Sequence, residues 1–215
     1  MLRLNELRLP LDHPPEALQP ALCRRLGIEP AELVSFSIFK RSHDARRKDE
    51  LSLIYSIDFQ VQDEAALRQR LSHDNKVGPA PDMEYRFVGQ APTQLENRPL
   101  VIGFGPCGIF AALLLAQMGF KPIVLERGQD VRQRTKDTWG LWRKHVLDPE
   151  SNVQFGEGGA GTFSDGKLYS QIKDPRYLGR KVLMEFVKAG APEEILYVSK
   201  PHIGTFRLVS MVEQM

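Results

Sequence analysis

Residues 100–128, LVIGFGPCGIFAALLLAQMGFKPIVLERG, decide how this chain reads. Leu100, Val101 and Ile102 form the short apolar run that a buried parallel strand needs, and the run stops at a glycine. Gly103, Gly105 and Gly108 then fall at G-x-G-x-x-G spacing. The first glycine allows a tight turn, the second lets a pyrophosphate approach the backbone, and the third lets the following helix pack closely on the strand. Phosphate charge at that helix's N-terminus meets unpaired N–H groups and the positive end of the helix dipole. Pro106, with no N–H and a fixed φ, suits the opening of a helix.

From Ile109 to Met118 the chain is rich in Ala and Leu and apolar nearly all round, as for a helix pressed against a sheet, and Gly119 ends it. Ile123, Val124 and Leu125 form a second strand. Glu126 closes that strand 18 residues beyond Gly108, about where an acid accepts hydrogen bonds from a ribose. A lone glycine triplet carries little weight. Strand, turn, helix, strand and acid together predict an adenine dinucleotide site.

The rest of the composition narrows the classes. At 215 residues, with 42% hydrophobic and 26% charged, the chain can bury a core of one or two globular domains. No apolar stretch reaches the length of a membrane span, and the residues after Met1 do not resemble a signal peptide, so the expectation is a cytoplasmic protein with no membrane partner. Cys23 and Cys107 are far apart and form no C-x-x-C, which argues against a disulfide scaffold or a dithiol pair. Residues 1–98 carry 14 basic against 15 acidic side chains, which speaks against nucleic acid as a partner. An RNA-binding sheet would need stacking aromatics; Phe36, Phe39, Tyr55 and Phe59 are available but serve equally as core. The basic run KRSHDARRK at 40–48 reads as a solvated hairpin loop.

Before residue 98 the pattern gives strands at 2–10, 33–39, 51–61 and 85–88 and helices at 15–26 and 64–71. That βαββαβ order predicts a small ferredoxin-like α+β domain over 1–90, with a polar linker at 91–98 leading into a Rossmann-like domain over 99–215. Beyond Gly128, a charged stretch with Trp139 and Trp142 predicts an amphipathic helix over the nucleotide site. A second glycine-rich segment follows at 156–166. Gly161 to Lys167 imitates a phosphate loop, but Leu168 stands where Ser or Thr would hold magnesium and Asp165 adds negative charge, so a nucleoside triphosphatase is not expected. A helix is expected at 175–189, a strand at 195–198 and a final helix from 206; His202 reads as structural.

The first glycine segment resembles that of the glutathione-reductase-like flavoproteins, in which G-x-G-P-x-G, an Ala-rich helix and a strand ending in Glu hold the adenine half of FAD. Pro106 and the ending Glu126, Arg127, Gly128 favour FAD over NAD in that resemblance. Downstream, NVQFGEGGAGTFSDGKLYSQIKD and YVSKPHIGTFRLV resemble a bacterial group of FAD-dependent proteins described as dehydrogenases, more than twice this long. The resemblance implies that Gly103, Gly105, Pro106, Cys107 and Gly108 surround the pyrophosphate and that Glu126 meets the ribose. It also implies that Gly159, Ala160, Gly161 and Thr162, with Ser164 and Lys167, line the pyrophosphate and the flavin end. The function it implies is a flavin-dependent oxidoreductase, with NADH or NADPH as a donor and a small-molecule acceptor. A doubly wound sheet needs more parallel strands than these two, so the chain is expected to be the front part of a longer flavoprotein, inactive alone. A second reading remains open: a dinucleotide-binding or sensing module without turnover, whose N-terminal domain recruits a partner.

Overall fold

The first core is built by leucines that share one face of a strand. The computed structural model describes residues 1–47, 50–170 and 172–215. In β1 (Leu2–Pro10), Leu2 and Leu4 point to one face, and a bulge between Leu4 and Leu7 resets the alternation so that Leu7 and Leu9 return to the same core. Glu6, in the bulge, has φ +61. That core also takes Leu18, Leu22 and Leu26 of α1 (Leu18–Leu26), and Leu53, Tyr55, Ile57, Phe59 and Val61 of β3 (Ser52–Val61). Gly27 stops α1 in the left-handed conformation, φ +64. With β2 (Leu33–Asp44), α2 (Glu64–Arg70) and β4 (Val77–Pro79), the strands form a four-stranded antiparallel sheet in the order β2-β3-β1-β4. Away from the leucine core, buried Arg3 forms a two-point ion pair with Asp58 at 2.5 and 2.9 Å, and the Phe39 ring lies 3.4 Å from its guanidinium carbon.

Three expectations need correction. The last strand is Val77–Pro79, which takes the β1 edge by pairing with Leu2–Leu4, and not 85–88. Tyr85 and Phe87 instead pack edge-to-face at 5.2 Å beneath Lys181, and Val88 is exposed. Residues 40–44 of the basic run continue β2, because their backbone pairs with 52–56 of β3; Lys48 of that run lies outside the described residues. The strand expected at 195–198 is a 3-10 turn, Glu193–Leu196, followed by one parallel bridge from Val198 to Arg41.

The chain divides into two compact units, Met1–Asp82 with Leu196–Ser199, and Met83–Ile195 with Lys200–Met215. In the second, β5 (Leu100–Ile102) and β6 (Ile123–Leu125) pair in parallel and are joined through α3 (Pro106–Gln117). Asp130 caps α4 (Val131–Lys144) by accepting from the N–H groups of Arg132 and Gln133. Val131, Ile195, Ile203, Leu208, Met211 and Val212 form a second core that draws in α6 (Thr205–Gln214) and the partly buried face of α5 (Leu178–Lys188). The protein is thus mixed α/β, with one antiparallel sheet and one small parallel sheet. Among the described residues, no helix is long and apolar enough to cross a membrane.

Candidate functional site

The turn after β5 needs glycine at two positions, Gly103 and Gly108. Gly103 takes φ +89, and its N–H donates to the Leu125 carbonyl at 2.7 Å, tying the turn to β6. A Cβ on Gly108 would stand 1.9 Å from the Gly103 carbonyl oxygen, so the first turn of α3 can lie on the strand end only as glycine. Gly105 is the N-cap of α3 and Pro106 its first residue. Among the described residues, the N–H groups of Gly105, Cys107 and Gly108 have no acceptor, as at the start of any α-helix. Cys107 is exposed, and both cysteines are free thiols.

The second glycine segment folds onto the first. The Gly158 N–H donates to the Phe104 carbonyl at 2.8 Å. A Cβ on Gly159 would approach the Gly105 Cα to 2.9 Å, and one on Gly128 would approach the Gly156 Cα to 2.4 Å. Two glycine-on-glycine contacts therefore let two backbones touch that side chains would hold apart. Ala160 and Gly161 open the 3-10 turn Ala160–Phe163, and among the described residues their N–H groups also lack an acceptor.

Glu126 closes β6 with both oxygens engaged, Oε2 accepting from Phe104 N–H at 2.7 Å and Oε1 from Gly128 N–H at 2.9 Å. It borders a cleft of about 310 Å³ whose walls include Ile102, Gly103, Gly105, Leu125, Arg127 and Gly159. A separate cavity of about 280 Å³ is lined by Pro106, Gly161, Ser164 and Lys167 and by apolar residues of α3, α5 and α6.

The sequence-predicted residues divide accordingly. Gly103, Gly105, Pro106, Cys107, Gly108, Glu126, Gly159, Ala160 and Gly161 gather around the glycine junction. Thr162 is buried and works as a brace: its hydroxyl donates to the Gly159 carbonyl and accepts from Arg134, both at 3.1 Å. Ser164 likewise donates to the Gly161 carbonyl at 2.7 Å. Lys167 pairs with Asp165 at 3.0 Å, which raises the lysine pKa and lowers that of the aspartate. Arg127 turns to Glu150 at 2.6 Å and lies over the Phe155 ring at 4.5 Å.

Sequence reading missed Arg134, which organises the second segment from inside. It is fully buried, and it donates to the carbonyls of Asn152 at 2.8 Å, Val153 at 2.8 Å and Glu157 at 2.7 Å. A Cβ on Gly156 would lie 2.7 Å from the Arg134 Cδ. Burial pushes the guanidinium pKa down, and the Glu126 carboxylate pulls it part of the way back. In a helix full of charges, an arginine reads as solvent-facing. Only its spacing, three residues after the buried Val131 and four before the buried Thr138, would have marked it.

Comparison with known proteins adds relatives without a stated activity. Residues 1–60 match a family model described as "Domain of unknown function (DUF8436)". The chain is similar to an "Uncharacterized protein" of Clostridium beijerinckii, with 43% identity over 212 residues, covering 99% of this chain and 39% of that protein. The chain therefore spans about two fifths of the length of this curated relative.

Proposed function

We propose that the second unit carries the pyrophosphate and adenosine part of an FAD site, in a flavin-dependent oxidoreductase that resembles the glutathione-reductase-like flavoproteins. The observation that carries this reading is the junction of the two glycine segments, Gly105 against Gly159, with N–H groups of Gly105, Cys107, Gly108, Ala160 and Gly161 left over around it. A pyrophosphate fits that donor set, because a dianionic bridge needs several N–H groups and a backbone free of side chains. A Cβ on Gly103 or Gly161 would meet nothing within 4 Å, which leaves room for a ligand there.

In this reading the α3 N-terminus, with Gly105, Pro106, Cys107 and Gly108, orients the pyrophosphate, and the second segment closes over it through Ala160 and Gly161. Glu126, whose oxygens each accept one backbone N–H and keep further acceptor capacity, would accept from the ribose hydroxyls. Thr162 and Ser164 keep the loop in shape, and Lys167 and Arg127 stand at the rims of the two cavities. Bound FAD would supply hydride and electron transfer, with NADH or NADPH as donor. The first unit fits a ferredoxin-like domain in strand order, and β5, α3 and β6 fit the first unit of a Rossmann-like sheet. Free Cys23 and Cys107 suit a reducing, cytoplasmic setting.

The test is reconstitution of purified protein with FAD, followed by flavin absorbance and stopped-flow reduction by NADH or NADPH. An oxidoreductase retains flavin and is reduced and reoxidised. A flavin retained without turnover favours the sensing module, and absence of bound flavin rejects FAD.

A further inference from the structure

Arg134 poses a question that loop packing alone leaves open. Its side chain is fully buried, and its hydrogen-bond partners are neutral, three main-chain carbonyls and the Thr162 hydroxyl, with the Phe163 ring 5.0 Å from the guanidinium carbon. Among the described residues no carboxylate forms an ion pair with it. The acids of the surrounding segments are bound to backbone N–H groups instead, Glu126 to those of Phe104 and Gly128, and Glu157 to that of Val131. The Glu126 carboxylate offsets part of the burial cost from a distance, without an ion pair, and burial still outweighs it, so the guanidinium is left short of countercharge.

The rest of the countercharge has a place. The Glu157–Gly158 peptide links the guanidinium to the first glycine turn, its carbonyl accepting from Arg134 at 2.7 Å and its N–H donating to Phe104 at 2.8 Å. The positive charge thus lies one peptide group behind the Gly105–Gly159 junction. We infer that Arg134 is the buried countercharge for an anionic group bound at that junction, a pyrophosphate or a pair of phosphates, in addition to bracing the loop. This rests on the dinucleotide reading for the place of the anion, but not on the ligand being a flavin.

Inorganic pyrophosphate is the direct probe, because it carries the anion without ring or ribose. Thermal unfolding of the purified chain is followed at low salt with and without millimolar pyrophosphate, for the natural protein, Arg134→Lys and Arg134→Gln. Both variants lose the fork that binds several carbonyls, but only lysine keeps the charge. Pyrophosphate should raise the midpoint of the natural protein and of Arg134→Lys by several degrees, and barely move Arg134→Gln. Equal shifts in the two variants, or no shift in the natural protein, overturn the inference. If Arg134→Gln does not fold, Thr162→Asp decides: it gives Arg134 an internal carboxylate at the cost of the hydroxyl's hydrogen bond to the Gly159 carbonyl, so the pyrophosphate shift should vanish, and a retained shift overturns the inference. A parallel FAD titration separates the two readings. Pyrophosphate stabilisation without FAD binding rejects the flavin alone, whereas FAD affinity equal in Arg134→Lys and Arg134→Gln rejects the role of the charge alone. The expected gap between those two variants in FAD affinity is about tenfold or more.

Discussion

Gly108 has room for a hydrogen and nothing larger, because a methyl group there would meet the Gly103 carbonyl oxygen at 1.9 Å. Replacement by alanine must push α3 off the strand end, at a cost of about 3 kcal/mol, and the account predicts that Gly108→Ala unfolds the second unit at lower denaturant and abolishes FAD binding. Glu126→Gln should be milder in stability but should weaken FAD binding about tenfold in an equilibrium titration, since an amide makes a poorer acceptor for ribose hydroxyls. These positions were legible from spacing alone, because a G-x-G-x-x-G between two apolar strands constrains backbone directly. Arg134 and the bracing roles of Thr162 and Ser164 were not. They depend on which carbonyls face inward in an irregular loop, and no periodicity encodes that.

At the scale of elements, β5 and β6 present an unusual face. Leu100, Ile102, Ile123 and Leu125 share it and are exposed, Ile102 to 81%. Ile102→Ser should therefore change the unfolding free energy by no more than about 0.5 kcal/mol while lowering the binding of an apolar dye such as ANS; strong destabilisation would show that the face is packed. On α5, Glu185 is buried, which by itself raises its pKa, but hydrogen bonds from Lys181 at 2.6 Å and Lys188 at 2.9 Å outweigh burial and hold the carboxyl below its ordinary value. A group lowered in the folded state contributes fully above its unfolded pKa of about 4.3 and loses that contribution as pH falls through the lower folded value. Acid unfolding of the natural protein should therefore be steeper below about pH 4.3 than that of Glu185→Gln. The helices and the first three strands were readable from apolar spacing. β4 was not, since Val77–Pro79 is short and holds Gly78 and Pro79, whereas 85–88 is aromatic and β-like but finds no strand to pair with.

Across the whole molecule, each unit has its own core, one built on the antiparallel sheet and one on α4, α5 and α6. Ligand binding should raise the stability of the unit that holds the glycine junction and leave the other transition where it is, which amide exchange read separately in β3 and α3 would report. FAD binding at the glycine junction is read by titrating purified chain with FAD and following flavin absorbance and fluorescence, with Gly108→Ala as the control. Saturable binding of one FAD per chain, competed by ADP and lost in Gly108→Ala, is the expected result. Natural protein that binds neither FAD nor ADP, or a Gly108→Ala variant that binds FAD unchanged, would contradict it.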